Sequence, residues 1–263
     1  TVVGTEDDEV FKQVCELYSK SGCEELRCSI PAAESIKYAC NLFHAVKITF
    51  ANEVGTVCKG AGVDSREVME IVCQDTKLNI SDKYMKPGFA FGGSCLPKDM
   101  RAFSSVGRAN NTPVAMFDSI LKSNRDQIER AAERIMAMGS RQVAMMGVSF
   151  KEGTDDLRES PLISLAEILI GKGYDLAIYD PNVEYAALFG SNKRYIEQTL
   201  PHLKAALVSA EVALKHGKTV VFGHKHEVYT PIIAQISNDQ AVFDLVGMCS
   251  PEDVRGSYEG LYW

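Results

Sequence analysis

Several familiar signatures are missing from these 263 residues. No stretch of eighteen apolar residues is present, so nothing reads as a membrane-spanning helix. The opening Thr-Val-Val-Gly-Thr-Glu-Asp-Asp-Glu has neither the basic flank nor the apolar stretch of a secretion signal, and an intracellular, cytoplasmic protein is expected. Positive charge is in the minority: 28 Lys+Arg face 35 Asp+Glu, a net charge of −7, which argues against nucleic acid as the main ligand. None of the eight cysteines forms a Cys-x-x-Cys pair, which speaks against a structural zinc site, and the default expectation for each is a small buried hydrophobe. Gly-x-Gly-x-x-Gly is absent too, so a standard dinucleotide cradle cannot be assigned.

What is present reads as globular, with 46% hydrophobic and 24% charged side chains in a chain long enough for two domains. Thr1 to Gly4 and Glu25 to Ile30 read as strands flanking a helix over Asp7 to Ser19, the closing turn of an α/β domain. From Ala32 to about Lys59 runs a helix apolar on almost every side (Ile36, Leu42, Phe43, Val46, Ile48, Phe50, Val54), which demands burial in a core or an interface. Short and long helices are expected over Asp64–Cys73 and Val114–Met138. After Gly139, strands at Gln142–Val148, Asp175–Tyr179, Lys218–Phe222 and Ala241–Val246 alternate with helical texture such as Leu162–Ile170, the pattern of a parallel sheet covered by helices. The fold class is therefore α/β: a remnant over 1–30, a central helical domain over 31–138, and a Rossmann-like parallel-sheet domain over 139–263.

Three constellations carry chemistry. Lys86-Pro87-Gly88-Phe89-Ala90-Phe91-Gly92-Gly93-Ser94-Cys95-Leu96-Pro97-Lys98-Asp99 is read as a shaped loop, because its glycines and prolines exclude regular helix, and its backbone can approach a ligand closely. Cys95 with Lys98 and Asp99 makes a nucleophile and a base within one turn of chain; the alternative is a glycine-rich turn with Cys95 as filler. On the apolar helix, Lys37, Asn41 and His44 stand at i, i+4 and i+7 and share a face, with Asn52 further along. Burying such groups is costly unless a ligand satisfies them, so a site is preferred over a solvated strip. The third, Gly147 to Pro161, follows a strand and precedes a helix capped by Ser160, where open α/β sheets bind ligands; Lys151 and Arg158 there suit phosphate.

Taken together, Ile36-Lys37-Tyr38-Ala39-Cys40-Asn41-Leu42-Phe43-His44, Phe89 to Asp99 and Thr154-Asp155-Asp156-Leu157-Arg158-Glu159-Ser160-Pro161 resemble the nucleotide-sugar 6-dehydrogenase family through nearly the whole chain. His44 and the loop spelling Phe-Ala-Phe-Gly-Gly-Ser-Cys-Leu-Pro-Lys-Asp favour its GDP-mannose branch over the UDP-glucose enzymes. The resemblance implies oxidation of a sugar primary alcohol to a carboxylate with two NAD. Cys95 then forms a thiohemiacetal and a thioester, Lys37 and Asn41 stabilise the oxyanion and place water, and Asp99 serves as acid/base. It also implies substrate contacts at His44, Asn52, Asn79, Lys83, Tyr84 and Lys86, and at Phe89, Gly92 and Lys151. Lys83 and Lys86 stand where Tyr and Arg are expected, so position 86 keeps its charge without the bidentate fork. Lys98 and Arg158 match positions that reach the NAD pyrophosphate from outside its own domain. A homodimer through the central helix is implied, as is a glycine-rich NAD-binding domain ahead of Thr1; the chain as it stands is expected neither to bind NAD well nor to turn over. A UDP-glucose 6-dehydrogenase, and a non-catalytic sugar-nucleotide-binding dimerisation module, are the alternatives.

Overall fold

The computed structural model describes residues 1–81, 83–84, 87–183, 196–197, 201 and 203–262, apart from the side chains at 21, 38, 42, 44 and 45. The chain forms two compact units, Thr1–Glu70 and Ile71–Trp263.

In the first unit, β1 (Val2–Gly4) and β2 (Leu26–Cys28) pair in parallel with Val2 opposite Leu26, joined through α1 (Asp8–Tyr18). Asp7 starts α1 by accepting the amides of Glu9 and Val10 at 2.8 and 3.1 Å, two of the groups a helix start leaves unpaired. Ser29 and Pro31 then open α2, a 31-residue helix over Ile30–Gly60. A side chain at Gly4 would come within 2.8 Å of Ala33 and 2.9 Å of the Ile30 backbone, so the glycine lets β1 lie against the start of α2.

Among the described side chains of α2, only Val54, Val57 and Cys58 are buried, while Phe43, Val46 and Ile48 are 39%, 53% and 62% exposed. Most of the described apolar side chains of this helix are therefore exposed or only partly buried rather than packed in a core. The default expectation of buried cysteines fails at Cys23, Cys40 and Cys73, whereas an exposed Cys95 is what the reading of its loop required. Cys58 alone is buried; Cys23, Cys40, Cys73 and Cys95 are exposed, and all eight are free thiols.

The second unit carries α3 onward from its boundary inside Ser65–Gln74, then α4 (Leu96–Ala109), α5 (Ala115–Ala137) and a five-stranded parallel sheet. Its strands are β3 (Gln142–Met146), β4 (Asp175–Tyr179), β5 (Thr219–Phe222), β6 (Ala241–Asp244) and β7 (Ser257–Gly260), in the order β4-β3-β5-β6-β7. Both faces are covered, so β3 reads as a continuous apolar run. Val143 and Met145 join a core with Ile135 of α5 and Leu165 and Leu169 of α6 (Pro161–Gly171). Ala144 and Met146 face the other way, toward Phe222, Tyr229 and Ala213, the last on α7 (Ala210–His216). A short α8 (Thr230–Ile233) completes the second layer. Arg134 ties α5 to the last strand: it donates to Glu259 at 2.6 Å and to the Gly260 carbonyl at 2.9 Å, and its guanidinium lies 5.2 Å over the Phe243 ring.

The chain leaves β3 through α6 to β4 on one side and returns to β5 on the other. Neighbouring connections thus diverge at the carboxyl ends of β3 and β5, where open α/β sheets hold ligands.

Candidate active site

The cysteine segment is half loop and half helix. Its glycines keep Pro87 to Ser94 irregular, but α4 begins at Leu96, because proline is tolerated in a first helical turn where its missing N–H has no partner to lose. This corrects the reading of Lys86–Asp99 as loop throughout. Cys95 is the residue immediately before α4, exposed, with Sγ 3.8 Å from the Ser94 hydroxyl. Helix N-termini favour an anion, which suits a nucleophilic sulfur. Asp99 sits one turn on, its amide donating to the Cys95 carbonyl at 2.9 Å, and its carboxylate pairs with the Lys98 ammonium at 3.4 Å.

Two segments far apart in sequence meet at this loop. The Gly93 amide donates to the Glu159 carbonyl at 3.2 Å, and a side chain at Gly92 would reach 2.3 Å from that same oxygen and 2.5 Å from the Pro161 ring. Gly93 holds φ +87° with the Phe150 ring where its side chain would stand, 2.7 Å away. Only glycine fits either place. Arg101 of α4 closes the junction, donating to the Glu159 carboxylate at 2.9 Å. Ser160 fixes the other end: its hydroxyl donates to the Val148 carbonyl at 2.8 Å and accepts from the amides of Leu162 and Ile163, capping α6.

Beside this junction lies a cavity of about 530 Å³ lined by Ser94, Lys98, Arg101, Arg158, Glu159 and Glu167 among others. Three cations and two carboxylates line it, and each of the cations is ion-paired: Lys98 with Asp99, Arg101 with Glu159 and Arg158 with Asp156. Arg158 is held by Asp156 through bonds of 2.7 and 2.8 Å, and that fork keeps the Asp156 carboxyl below its ordinary value.

At the strand ends, a buried carboxylate organises the loop after β3. Asp180 accepts from the amides of Val148 and Ser149 at 2.9 and 3.0 Å. His224 sets its Nε2 3.0 Å from the Ser149 carbonyl, an acceptor only, so Nε2 carries the proton; Nδ1 faces Asp180 at 3.7 Å. A second carboxylate, Asp244, binds the amides of Val246, Gly247 and Cys249 and the Tyr258 hydroxyl. Burial, with the Asp244 charge added, pushes the Cys249 thiol up to about 12. That sulfur is the opposite of Cys95: half-buried, beside an anion, and inert at neutral pH.

The remaining expected residues are scattered. Within the second unit, Lys151 is exposed on the loop after β3, Phe89 packs against the core, and Lys83 and Tyr84 are exposed, Tyr84 with φ 62°. Asn79 donates to the Val72 carbonyl at 3.2 Å. Lys86 lies outside the described residues. In the first unit, Lys37, Asn41 and Asn52 are exposed, so the ammonium and amides keep their hydration; the expectation of a buried polar face on α2 is not met. The side chain of His44 is likewise outside the description. Unforeseen from sequence were Arg101 and Asn124, which hold the cysteine loop, and Asp180, Asp244 and His224. An acid closing an apolar strand ahead of Pro-Asn or Leu-Val-Gly was a readable sign for the two aspartates.

Two domain descriptions of one family match this chain: the UDP-glucose/GDP-mannose dehydrogenase family's central domain over residues 31–126 and its UDP binding domain over residues 144–251. The chain belongs to that family. Among its relatives, the GDP-mannose 6-dehydrogenases of Pseudomonas aeruginosa and Pseudomonas putida are 44% and 46% identical over 264 and 265 residues, 100% of this chain and 60% of theirs. A UDP-glucose 6-dehydrogenase of Bacillus subtilis is 33% identical over 68% of this chain and 41% of its own length. The crystal structure of a ternary complex of GDP-mannose dehydrogenase from P. aeruginosa matches with a TM-score of 0.92 at 44% identity, again over 100% of this chain and 60% of that one. The chain thus spans about 60% of the length of those GDP-mannose relatives.

Proposed function

We propose that this chain forms the thiol and sugar-nucleotide part of an NAD-dependent GDP-mannose 6-dehydrogenase, oxidising GDP-mannose to GDP-mannuronate, the alginate precursor, in the cytoplasm. The supporting observation is the docking of the cysteine loop on Glu159–Pro161, which sets Ser94, Lys98 and Arg158 around one cavity. Identity of 44–46% over the whole chain to GDP-mannose enzymes, against 33% over part of it to a UDP-glucose enzyme, favours the guanine nucleotide. Three parts are proposed: the end of a dinucleotide-binding domain over 1–30, a central domain over 31–138 and a sugar-nucleotide domain over 139–263.

Bound NAD supplies hydride acceptance at each of the two oxidations of C6. Lys98 and Arg158 fit its pyrophosphate by charge and by sharing one cavity, while the glycine-rich turn that would cradle it is not in this sequence. The Cys95 sulfur adds to the C6 aldehyde, forming a C–S bond, and the carbonyl oxygen takes a proton. Loss of hydride from that carbon, with the oxygen's proton returned to Asp99, leaves a thioester. Water then attacks, the C–S bond breaks, and the carboxylate departs as the thiol regains its proton. Asp99 moves protons at the C6 oxygen and at water, and Lys37 and Asn41 stabilise negative charge on that oxygen as it develops. Lys151, with Asn52, Asn79, His44, Lys83, Tyr84, Lys86, Phe89 and Gly92, contacts the sugar nucleotide. The exposed apolar side chains of α2 support pairing with a second copy of the chain.

The test uses the chain itself with the 6-aldehyde of GDP-mannose. Saturating aldehyde is expected to protect Cys95 from iodoacetamide, GDP-mannose is expected to bind more tightly than UDP-glucose, and no NADH is expected from the chain with GDP-mannose and NAD. Unprotected Cys95 would refute the nucleophile, and tighter UDP-glucose binding would move the substrate to the other branch.

A further inference from the structure

The cysteine loop has no regular structure of its own, so its backbone groups must find partners elsewhere or stay solvated. One residue supplies two of them. Asn124, half-buried on α5, accepts from the Phe91 amide at 2.9 Å through Oδ1 and donates from Nδ2 to the Phe91 carbonyl at 2.8 Å. A side-chain amide can pair with both polar atoms of a single residue at neutral pH, as an adjacent strand would.

The position of that clamp matters because the next residues, Gly92 and Gly93, have no side chains with which to anchor themselves. Phe91 is fixed by Asn124, Gly93 by the Glu159 carbonyl, and Leu96 by the start of α4, which leaves little slack around Cys95. We infer that Asn124 is a positioning residue that sets the cysteine loop in register on Glu159–Pro161 and thereby holds the Cys95 sulfur at the head of α4. The inference rests on Cys95 being the nucleophile, and its test does not use the aldehyde experiment.

The experiment measures amide hydrogen exchange of the whole chain, together with the iodoacetamide rate of Cys95 relative to exposed Cys73. In Asn124→Ala, the protection factor of Gly93, whose amide does not touch Asn124, is expected to fall at least tenfold. Met145 in β3 keeps its own, and the relative Cys95 rate falls at least threefold at neutral pH. Asn124→Asp retains the acceptor for the Phe91 amide but sets a carboxylate oxygen against the Phe91 carbonyl; Gly93 protection should be lost at pH 7 and regained as the pH drops below about 4 and the carboxyl gains a donor proton. A residue of merely structural value gives no such recovery. Unchanged Gly93 protection, or parallel loss at Met145, would overturn the assignment. Should Asn124→Ala fail to fold, the acid recovery of Asn124→Asp decides alone.

Discussion

Replacing Gly92 with alanine tests the junction between the cysteine loop and Glu159–Pro161 most directly. The added methyl would stand 2.3 Å from the Glu159 carbonyl oxygen and 2.5 Å from the Pro161 ring, and neither atom belongs to a flexible side chain. Relief therefore requires the loop or the start of α6 to shift. Overpacking of this kind costs about 1–3 kcal/mol, and the shift would also stretch the Gly93–Glu159 hydrogen bond, worth about 1 kcal/mol. Together these amount to roughly 2–4 kcal/mol, or a fall in Tm of roughly 5–15 °C for a unit of this size. Gly88, in the same loop, has no atom within 4 Å of such a methyl, so Gly88→Ala should be neutral or stabilising by about 0.4–1 kcal/mol through the unfolded chain. Thermal unfolding followed by circular dichroism, paired with Cys95 labelling, separates the two. If G92A melts within a degree of the parent with unchanged labelling, or if G88A falls as far as G92A, the docking of the loop on Glu159–Pro161 is wrong.

Three other outcomes are expected. Among the eight thiols, Cys95 should alkylate first and Cys249 last, since a thiol at about 12 is ionised on the order of one part in 10⁴ to 10⁵ at neutral pH; peptide mapping that finds Cys249 labelled early would contradict the buried Asp244 contact. Ser160→Ala removes the α6 cap, worth about 1 kcal/mol, and orphans the buried Val148 carbonyl at about 1–3 kcal/mol, so denaturant midpoints should show a loss of roughly 2–4 kcal/mol. Asp239 is held down to about 2 by the Lys218 ammonium and the Ser237 hydroxyl. Because that folded value lies below the ordinary carboxyl value of about 3.9, its contribution is complete above pH 4 and is lost as pH falls toward 2. Asp239→Asn should flatten the acid limb of the stability–pH curve in that window and lower the neutral plateau by the same amount, a small one because the pair is exposed and screened.

Much of the fold was legible because burial wrote a period into the sequence. The long helix expected from Ala32 to about Lys59 runs Ile30–Gly60, and the one expected over Val114–Met138 runs Ala115–Ala137. β3 ends two residues short of Val148, since Gly147 turns the backbone to φ +100° where His224 crowds any side chain. β7 was missed: Ser-Tyr-Glu-Gly carries neither alternation nor an apolar run, and it is recruited by pairing with β6 and by Arg134. Of the candidate site, the order of motifs pointed to Cys95, Lys98, Asp99 and Arg158. The groups that hold them, Asn124, Arg101 and Asp180, bond mainly to backbone atoms and to residues distant in sequence. Such partners leave no local pattern to read. The solvent exposure of Lys37 and Asn41 was equally hidden, because an apolar helix looks the same in sequence whether its cover comes from its own chain or another.

The grip of Asp180 on the Val148 and Ser149 amides has a bearing on how this protein can drift over evolutionary time. Two consecutive amides locked onto a carboxylate from the neighbouring strand set a fixed stride between β3 and its loop. A residue gained or lost at 148 or 149 would break that stride and strand a buried charge. Room for a change of length lies farther out, around Glu152 and Gly153, where the chain is exposed.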